Sequence, residues 1–366
     1  MSTTPVRAGL IGAGFIGGVH AHAIRSAGGI LTRVADSTPE QAAQAARRLG
    51  AVAGAESALA LVSSDDVDVV HICTPNSTHV ELAELAIAHG KSVVCEKPLA
   101  TSVGDAERLV SAARQAGVVN AVPFVYRYYP TVREARSRIA AGEAGRLWLL
   151  HGSYLQDWLA GRSETNWRLD PSRGGGSRAF GDIGVHWCDL MEFVTGHRIT
   201  RLLARLSNAH AERVTSAGLR PVGTEDGATL VFETDQGATG SVVASQVSLG
   251  RKNKLWFSFD GTESSYVFDQ EQPDTLWIGG VSENRVVPRG PQTLGSEEGR
   301  SLSFLPAGHP QGYQDCFNAF VADTYAAVTG RVAPGLPTFA DGHRAALITA
   351  AVLDSAKTDS WIEVPA

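Results

Sequence analysis

The chain has 366 residues, 43% hydrophobic and 19% charged, which is too long for one ordinary core and too apolar for a disordered or fibrous protein. A net charge of -6 with no run of Lys or Arg offers no attraction to nucleic acid or to an anionic membrane surface. No apolar stretch reaches the roughly 20 residues that span a bilayer. Cys73, Cys95, Cys188 and Cys316 lie far apart without a CxxC pair, and the first residues lack a basic-then-apolar leader pattern. Reduced thiols in a cytoplasmic protein are the expectation.

From Arg7 to about Phe124, short β-branched runs alternate with Ala-rich stretches of helical period, which is how βαβ units read. Strands are predicted over 8–11, 31–35, 69–72, 92–95 and 119–122, with helices such as 39–49 and 105–115 between them. A doubly wound parallel sheet with right-handed crossovers follows. After Tyr129 the pattern changes. A basic helix over 132–141 leads into longer strands at 147–154, 200–206, 228–232, 238–246, 255–259 and 265–268, several separated by Asp/Gly turn signals. This predicts a second, α+β domain built on a mainly antiparallel sheet. Helices are expected at about 180–195 and 312–329, and 288–299 reads as a surface loop. The expected divisions are 1–125, 126–338, and a final helix, within 339–366, that returns toward the first domain.

Gly12-Ala13-Gly14-Phe15-Ile16-Gly17 ends the first strand and opens an apolar-periodic helix, the context in which G-x-G-x-x-G holds a dinucleotide pyrophosphate. Gly12 permits the tight turn, Gly14 lets phosphate approach, and Gly17 lets helix pack on strand. The N–H groups of the first helical turn, at Phe15 and Ile16, supply donors and a positive dipole end. Asp36, at the end of the second predicted strand, is placed to accept from adenosine ribose hydroxyls. It would repel a 2′-phosphate, Ser37 and Thr38 offer no guanidinium, and Arg33 should point sideways, so NAD is expected over NADP. Thr74-Pro75-Asn76 follows strand 69–72 at the same carboxyl edge and reads equally as a cofactor contact or as a plain turn.

Glu96-Lys97-Pro98 follows strand 92–95 on that edge. An ammonium at Lys97 can stabilise a developing alkoxide or relay its proton; the bland alternative is a strand-end salt bridge. Further on, Gly174-Gly175-Gly176 precedes a helix carrying Asp182 and His186, four residues apart and so on one face. Imidazole is the side chain best suited to take a hydroxyl proton near neutral pH. A metal held by Asp182, His186 and Asp189 would need a further ligand, and none has convincing spacing, so no metal is expected.

These residues resemble the glucose-fructose oxidoreductase, inositol dehydrogenase and rhizopine catabolism (Gfo/Idh/MocA) family over almost the whole chain. The resemblance rests on 9–17 with His20-Ala21, Thr74-Pro75-Asn76 with His79, Glu96-Lys97-Pro98, and 174–189. It implies an N-terminal Rossmann domain and a C-terminal domain whose open sheet forms a homodimer or homotetramer. It also implies Lys97 as catalytic lysine, His186 as acid/base, Asp182 as its partner or a hydroxyl ligand, Glu96 and His79 among the cofactor residues, and a cis Lys97–Pro98 bond. On this reading the substrate is a carbohydrate. Tyr126, Tyr154, Gln156, Trp158, Arg162, Arg168 and His309 are candidates to bind it, since aromatic faces and polar donors suit a polyhydroxylated ring. Arg162, Arg168, Arg173 and Arg178 could instead take an anionic substituent. The leading activity is oxidation of a secondary hydroxyl with hydride transfer to nicotinamide C4. The alternatives are a redox-neutral NAD-dependent glycoside hydrolase, with Tyr126 or His309 as an extra acid/base, and a non-catalytic dinucleotide-binding sensor.

Overall fold

A computed structural model describes residues 4–215, 218–331 and 334–366. Apolar runs too short to hide one face must be covered on both, and six of them form one parallel sheet. These are β1 (Arg7–Ile11), β2 (Ile30–Ala35), β3 (Ala53–Gly54), β4 (Val69–Ile72), β5 (Ser92–Cys95) and β6 (Asn120–Ala121), in the order β3-β2-β1-β4-β5-β6. The order reverses between β1 and β4, and ligands of such sheets bind at the carboxyl ends flanking that reversal. Helix Pro39–Leu49 forms as predicted, because Thr38 caps it by accepting from the Gln41 N–H and Gly50 ends it at φ 68°.

The chain divides into two compact units, 1–125 with 313–346, and 126–312 with 347–366. Helix Tyr313–Val328, expected in the second domain, therefore belongs to the first. Its buried face of Cys316, Phe317, Phe320, Val321 and Tyr325 packs against helix Phe15–Ser26, where Gln314 donates to the Val19 carbonyl at 3.2 Å. The last helix, Phe339–Thr358, begins in the first unit, where the Phe339 N–H meets Asn120 Oδ1 at 2.8 Å. From Leu347 it belongs to the second, where Ser355 Oγ accepts from the Ala204 N–H at 2.9 Å.

The second unit contains β7 (Leu147–Leu155), β8 (Ile199–Ser207), β9 (Glu212–Thr215), β10 (Gly218–Pro221), β11 (Gly227–Thr234), β12 (Thr239–Ser245), β13 (Lys254–Gly261), β14 (Ser265–Asp269), β15 (Thr275–Gly279), β16 (Asn284–Pro288) and β17 (Ile362–Glu363). β9 and β10 pair antiparallel, and the other nine form one sheet in the order β16-β15-β14-β13-β7-β12-β11-β8-β17. Its pairings are antiparallel except for β7 with β12. One face buries Leu150, Phe232, Val242 and Phe259 against Trp187. Trp187 lies so close that a Cβ on Gly152 would meet its Nε1 at 2.4 Å. The other face leaves Trp148, Val231 and Val243 40% or more exposed. The stretch 288–299 is more than a surface loop. Arg289 and Leu294 are buried in it, and the Arg289 guanidinium donates to Asp274, Ser303 and Gln311.

Candidate active site

At the carboxyl end of β1, Gly12 has φ +91°, and a Cβ there would sit 2.7 Å from the Cys73 carbonyl oxygen. A Cβ on Gly17 would sit 2.3 Å from the Gly12 oxygen, whereas one on Gly14 would meet nothing within 4 Å. The helix thus starts against open space, with no side-chain cap, no acidic residue in its first turn, and Phe15 84% exposed beside Ile16. Uncapped donors with room for an anion fit a pyrophosphate. Asp36 borders the turn: Oδ2 accepts from the Ala13 N–H at 3.2 Å and Oδ1 from the Ser37 N–H at 2.7 Å. Its oxygens retain lone pairs for ribose hydroxyls. Arg33 does point sideways, onto Asp66 at 2.7 Å. Arg48, which sequence reasoning overlooked, donates to the Ala13 carbonyl at 2.5 Å and puts a guanidinium beside the turn.

After β4, the loop at Thr74 and Pro75 runs into a 3-10 turn, Asn76–Thr78, with Asn76 buried and the Thr78 hydroxyl donating to the Pro75 carbonyl at 2.9 Å. His79 follows at the start of a helix, fully buried, with ring nitrogens 2.8 Å from the Pro98 oxygen and 2.9 Å from the Thr74 oxygen. Burial lowers its pKa against the pull of those two carbonyls. His79, expected among cofactor contacts, instead ties the loop after β4 to the loop after β5.

Lys97 lies at the end of β5, half-buried, on a cis bond to Pro98. Glu96 was expected near a ribose, but its carboxylate turns into the first unit. There Oε1 lies 3.1 Å from His20 Nε2, and Oε2 accepts from the Lys97 N–H at 3.1 Å. Burial pushes the Glu96 carboxyl up; the His20 hydrogen bond, with His20, Lys97 and His79 nearby, outweighs this and holds it below the usual range.

In the second unit Asp182 sits in a π-helical turn, Phe180–Gly184, that feeds helix Val185–Thr195, with His186 in the first turn of that helix. Widened turns of this kind occur mostly as single insertions, frequently at functional sites. Arg168 Nε donates to Asp182 Oδ1 at 3.2 Å, and Gln246 Nε2 donates to Oδ2 at 2.7 Å. The Gln246 amide is oriented by Arg178, which reaches its Oε1 at 3.4 Å. Arg178, fully buried, also pairs with Asp226. The glycines before this helix serve the backbone: Gly175 has φ +93°, and a Cβ on Gly174 would meet the Arg168 oxygen at 2.9 Å.

The His186 ring packs edge-on against Tyr126, centroids 4.9 Å apart, with Tyr154 at 6.3 Å. Tyr154 donates to Asn253 Oδ1 at 2.7 Å, so its oxygen accepts from the Tyr126 hydroxyl. Gln156 also donates to Asn253 Oδ1 at 2.7 Å and accepts from Trp158 Nε1 at 2.8 Å. Four sequence candidates thus meet in one string whose hub, Asn253, was missed. Arg162 and His309 do not join it. Arg162 is exposed beside Glu212 on β9, and His309 is exposed, with its backbone carbonyl accepting from Arg289. The anionic-substituent idea weakens as well, because Arg168 and Arg178 are neutralised by Asp182 and Asp226. Asp189, weighed as a metal ligand, is paired with Arg127. The four cysteines are buried thiols outside any disulfide. Among the described residues no helix is long and apolar enough to cross a membrane.

Residues 6–124 match the model of an oxidoreductase family with an NAD-binding Rossmann fold, and residues 132–267 match the GFO/IDH/MocA C-terminal domain. A levoglucosan dehydrogenase of Pseudarthrobacter phenanthrenivorans is 34% identical, with 98% of this chain and 97% of that protein covered. A 1,5-anhydro-D-fructose reductase of Ensifer adhaerens is 32% identical, with 93% of each covered. The solved structure of a levoglucosan dehydrogenase in complex with NADH and levoglucosan superposes with a TM-score of 0.92, at 33% identity, over 99% of this chain and 100% of that one. With both halves matched and relatives spanning nearly its whole length, the chain belongs to the GFO/IDH/MocA oxidoreductase family.

Proposed function

We propose that the protein is an NAD-dependent dehydrogenase that oxidises a secondary hydroxyl of an uncharged sugar, cyclitol or glycoside. The observation that carries this is that the second unit holds Asp182 between Arg168 and Gln246 and, four residues on, His186 against Tyr126 and Tyr154. A base, a carboxylate and a string of hydroxyl and amide groups are what a polyol needs. Bound NAD supplies hydride acceptance at nicotinamide C4. Gly12, Gly14 and Gly17 with the N–H groups of Phe15 and Ile16 hold its pyrophosphate, and Asp36 its adenosine ribose. His186 removes the substrate hydroxyl proton, Asp182 orients that hydroxyl or the imidazole, and the Lys97 ammonium stabilises the developing alkoxide. Tyr126, Tyr154, Gln156, Trp158 and Asn253 hold the other hydroxyls. Arg168 and Arg178 are already paired with carboxylates, which favours an uncharged substrate. The levoglucosan dehydrogenase relative makes that anhydro sugar the first compound to try. The apolar outer face of the sheet, at Trp148, Val231 and Val243, is the proposed surface for a cytoplasmic homodimer or homotetramer.

The test incubates the protein with NAD and a panel of sugars, anhydro sugars, inositols and glycosides, following NADH absorbance and aglycone release together. Stoichiometric NADH supports the proposal, and aglycone release without NADH replaces it with the redox-neutral glycosidase. The substitution Lys97→Ala is expected to abolish turnover while NAD still binds; unchanged turnover would remove Lys97 from the mechanism.

A further inference from the structure

Glu96 heads a buried chain of hydrogen bonds that the proposed chemistry does not use. Beyond Glu96, His20 Nδ1 lies 2.9 Å from His71 Nδ1, and His71 Nε2 lies 3.0 Å from the Tyr325 hydroxyl. Both imidazoles are fully buried and Tyr325 is nearly so. The four groups come from helix Phe15–Ser26, β4, the end of β5 and helix Tyr313–Val328, so four separate segments of the first unit converge on one line of polar atoms. Buried polar groups of this kind are costly unless every one is satisfied.

Proton positions along the chain follow from geometry. A carboxylate only accepts, so His20 donates from Nε2 to Glu96. The two Nδ1 atoms cannot both carry hydrogen. When His20 is neutral, His71 donates from Nδ1 to His20 and accepts the Tyr325 O–H at Nε2. When His20 gains a proton, its Nδ1–H donates to His71, and His71 donates from Nε2 to the Tyr325 oxygen. One proton at the Glu96 end therefore switches the tautomer of His71, four side chains in all responding as a unit.

We infer that His20, His71 and Tyr325 form a positioning relay for Lys97: they hold the Glu96 carboxylate turned inward, and Glu96 in turn anchors the Lys97 main-chain N–H and supplies a buried negative charge beside that residue. The inference rests on the assignment of Lys97 to the proton chemistry. The titratable groups around Glu96 are His20, Lys97, His79 and the Cys73 and Cys95 thiols, which burial and Glu96 push up. Burial pushes His71 well below the ordinary imidazole range, with His20 adding to the shift, so His71 transmits as a neutral ring. At the far end burial pushes the Tyr325 phenol up, with Asp68 the charge that adds to it.

Two measurements test this on the full-length protein. Nitrogen NMR of the histidine rings in the wild type should show Nε2–H on His20 and Nδ1–H on His71 at neutral pH, with Tyr325→Phe releasing the His71 tautomer. Kinetics should show His20→Leu losing about tenfold or more in kcat, with the acidic limb of its pH profile moved up because Glu96, deprived of its donor, takes up a proton at higher pH. His20→Gln, whose amide can still reach Glu96, should recover most of that loss, and KM for NAD should stay within about threefold throughout, since no hydrogen bond of the relay involves the glycine turn. A folded His20→Leu protein with wild-type kcat and pH profile overturns the inference, and so do the opposite tautomers in the wild type. Should His20→Leu fail to fold, the spectra and a smaller pH-profile shift in Tyr325→Phe decide it. If Lys97→Ala keeps its turnover, the reading of Lys97 fails, and the tautomers still show whether the relay exists.

Discussion

Behind Glu96 the first unit buries two imidazoles and a phenol, whereas behind Asp182 the second unit buries two guanidiniums, an amide and a carboxylate. The first arrangement keeps its orientation by where hydrogens sit, so it can reverse with one proton. The second keeps it by charge. Asp226 accepts from both Arg178 and Arg213, and although burial pushes its carboxyl up, those hydrogen bonds and charges hold it below the usual range. Charged clusters lose heavily when one member is removed, because the survivor is left unpaired in a poorly solvated place. A neutral chain costs less to build and less to break. Asp182 thus sits on a support held by charge, and Glu96 and Lys97 on the adjustable one.

Breaking the charged side should have the largest effect. Asp226→Asn strands Arg178 and Arg213 and is expected to cost about 3–5 kcal/mol of stability, read as a lowered urea midpoint. A loss below about 1 kcal/mol would mean that water reaches the cluster, and the contrast between the units would collapse. Next in size is Gln246→Leu, which keeps the bulk but removes the donor to Asp182 Oδ2. Hydrogen bonds to charged groups contribute about 1.5–3 kcal/mol, so kcat/KM should fall roughly 10- to 150-fold, with a stability loss smaller than that of Asp226→Asn because only one acceptor of the buried Arg178 is removed. Turnover within twofold of wild type would show that Arg168 alone holds Asp182.

What could be read from the sequence was local. The glycine turn, Asp36 nineteen residues after Gly17 and the helix Pro39–Leu49 each carry their signal within a few residues, and the strands at β4 and β5 fall where their β-branched runs lie. The supports did not show, because their partners are distant in sequence. His71 and Tyr325 are 254 residues apart, Tyr154 and Asn253 are 99 apart, and Gln246 and Asp182 are 64 apart. A lone Gln or Asn on a strand end has no pattern of its own. His79 misled for the converse reason: its place in a cofactor-edge motif says nothing of a ring turned onto two carbonyls. Helix Tyr313–Val328 reads as amphipathic wherever it docks, so its assignment to the first unit was invisible. The π-turn at Asp182 has no periodicity signal in five residues.

The smallest expected effect separates the two supports by pH. His71 and His79 are buried imidazoles whose pKa values burial lowers, so the unfolded chain takes up protons below the ordinary value near 6.5 while the folded one does not. Their contribution is complete above that value and drains away as pH falls below it, by about 1.4 kcal/mol per pH unit for each such proton. His197 in the second unit adds a smaller share of the same sign, since burial lowers its pKa too. Asp226 works lower down. Its depressed carboxyl contributes stability that persists until pH falls through the ordinary carboxylate range near 3.8. Urea unfolding between pH 7 and 5 should therefore lose slope in His71→Leu and keep it in Asp226→Asn. Equal slopes in the wild type and His71→Leu would mean that His71 titrates in the folded protein, and the neutral chain behind Glu96 would have to be redrawn as a charged one.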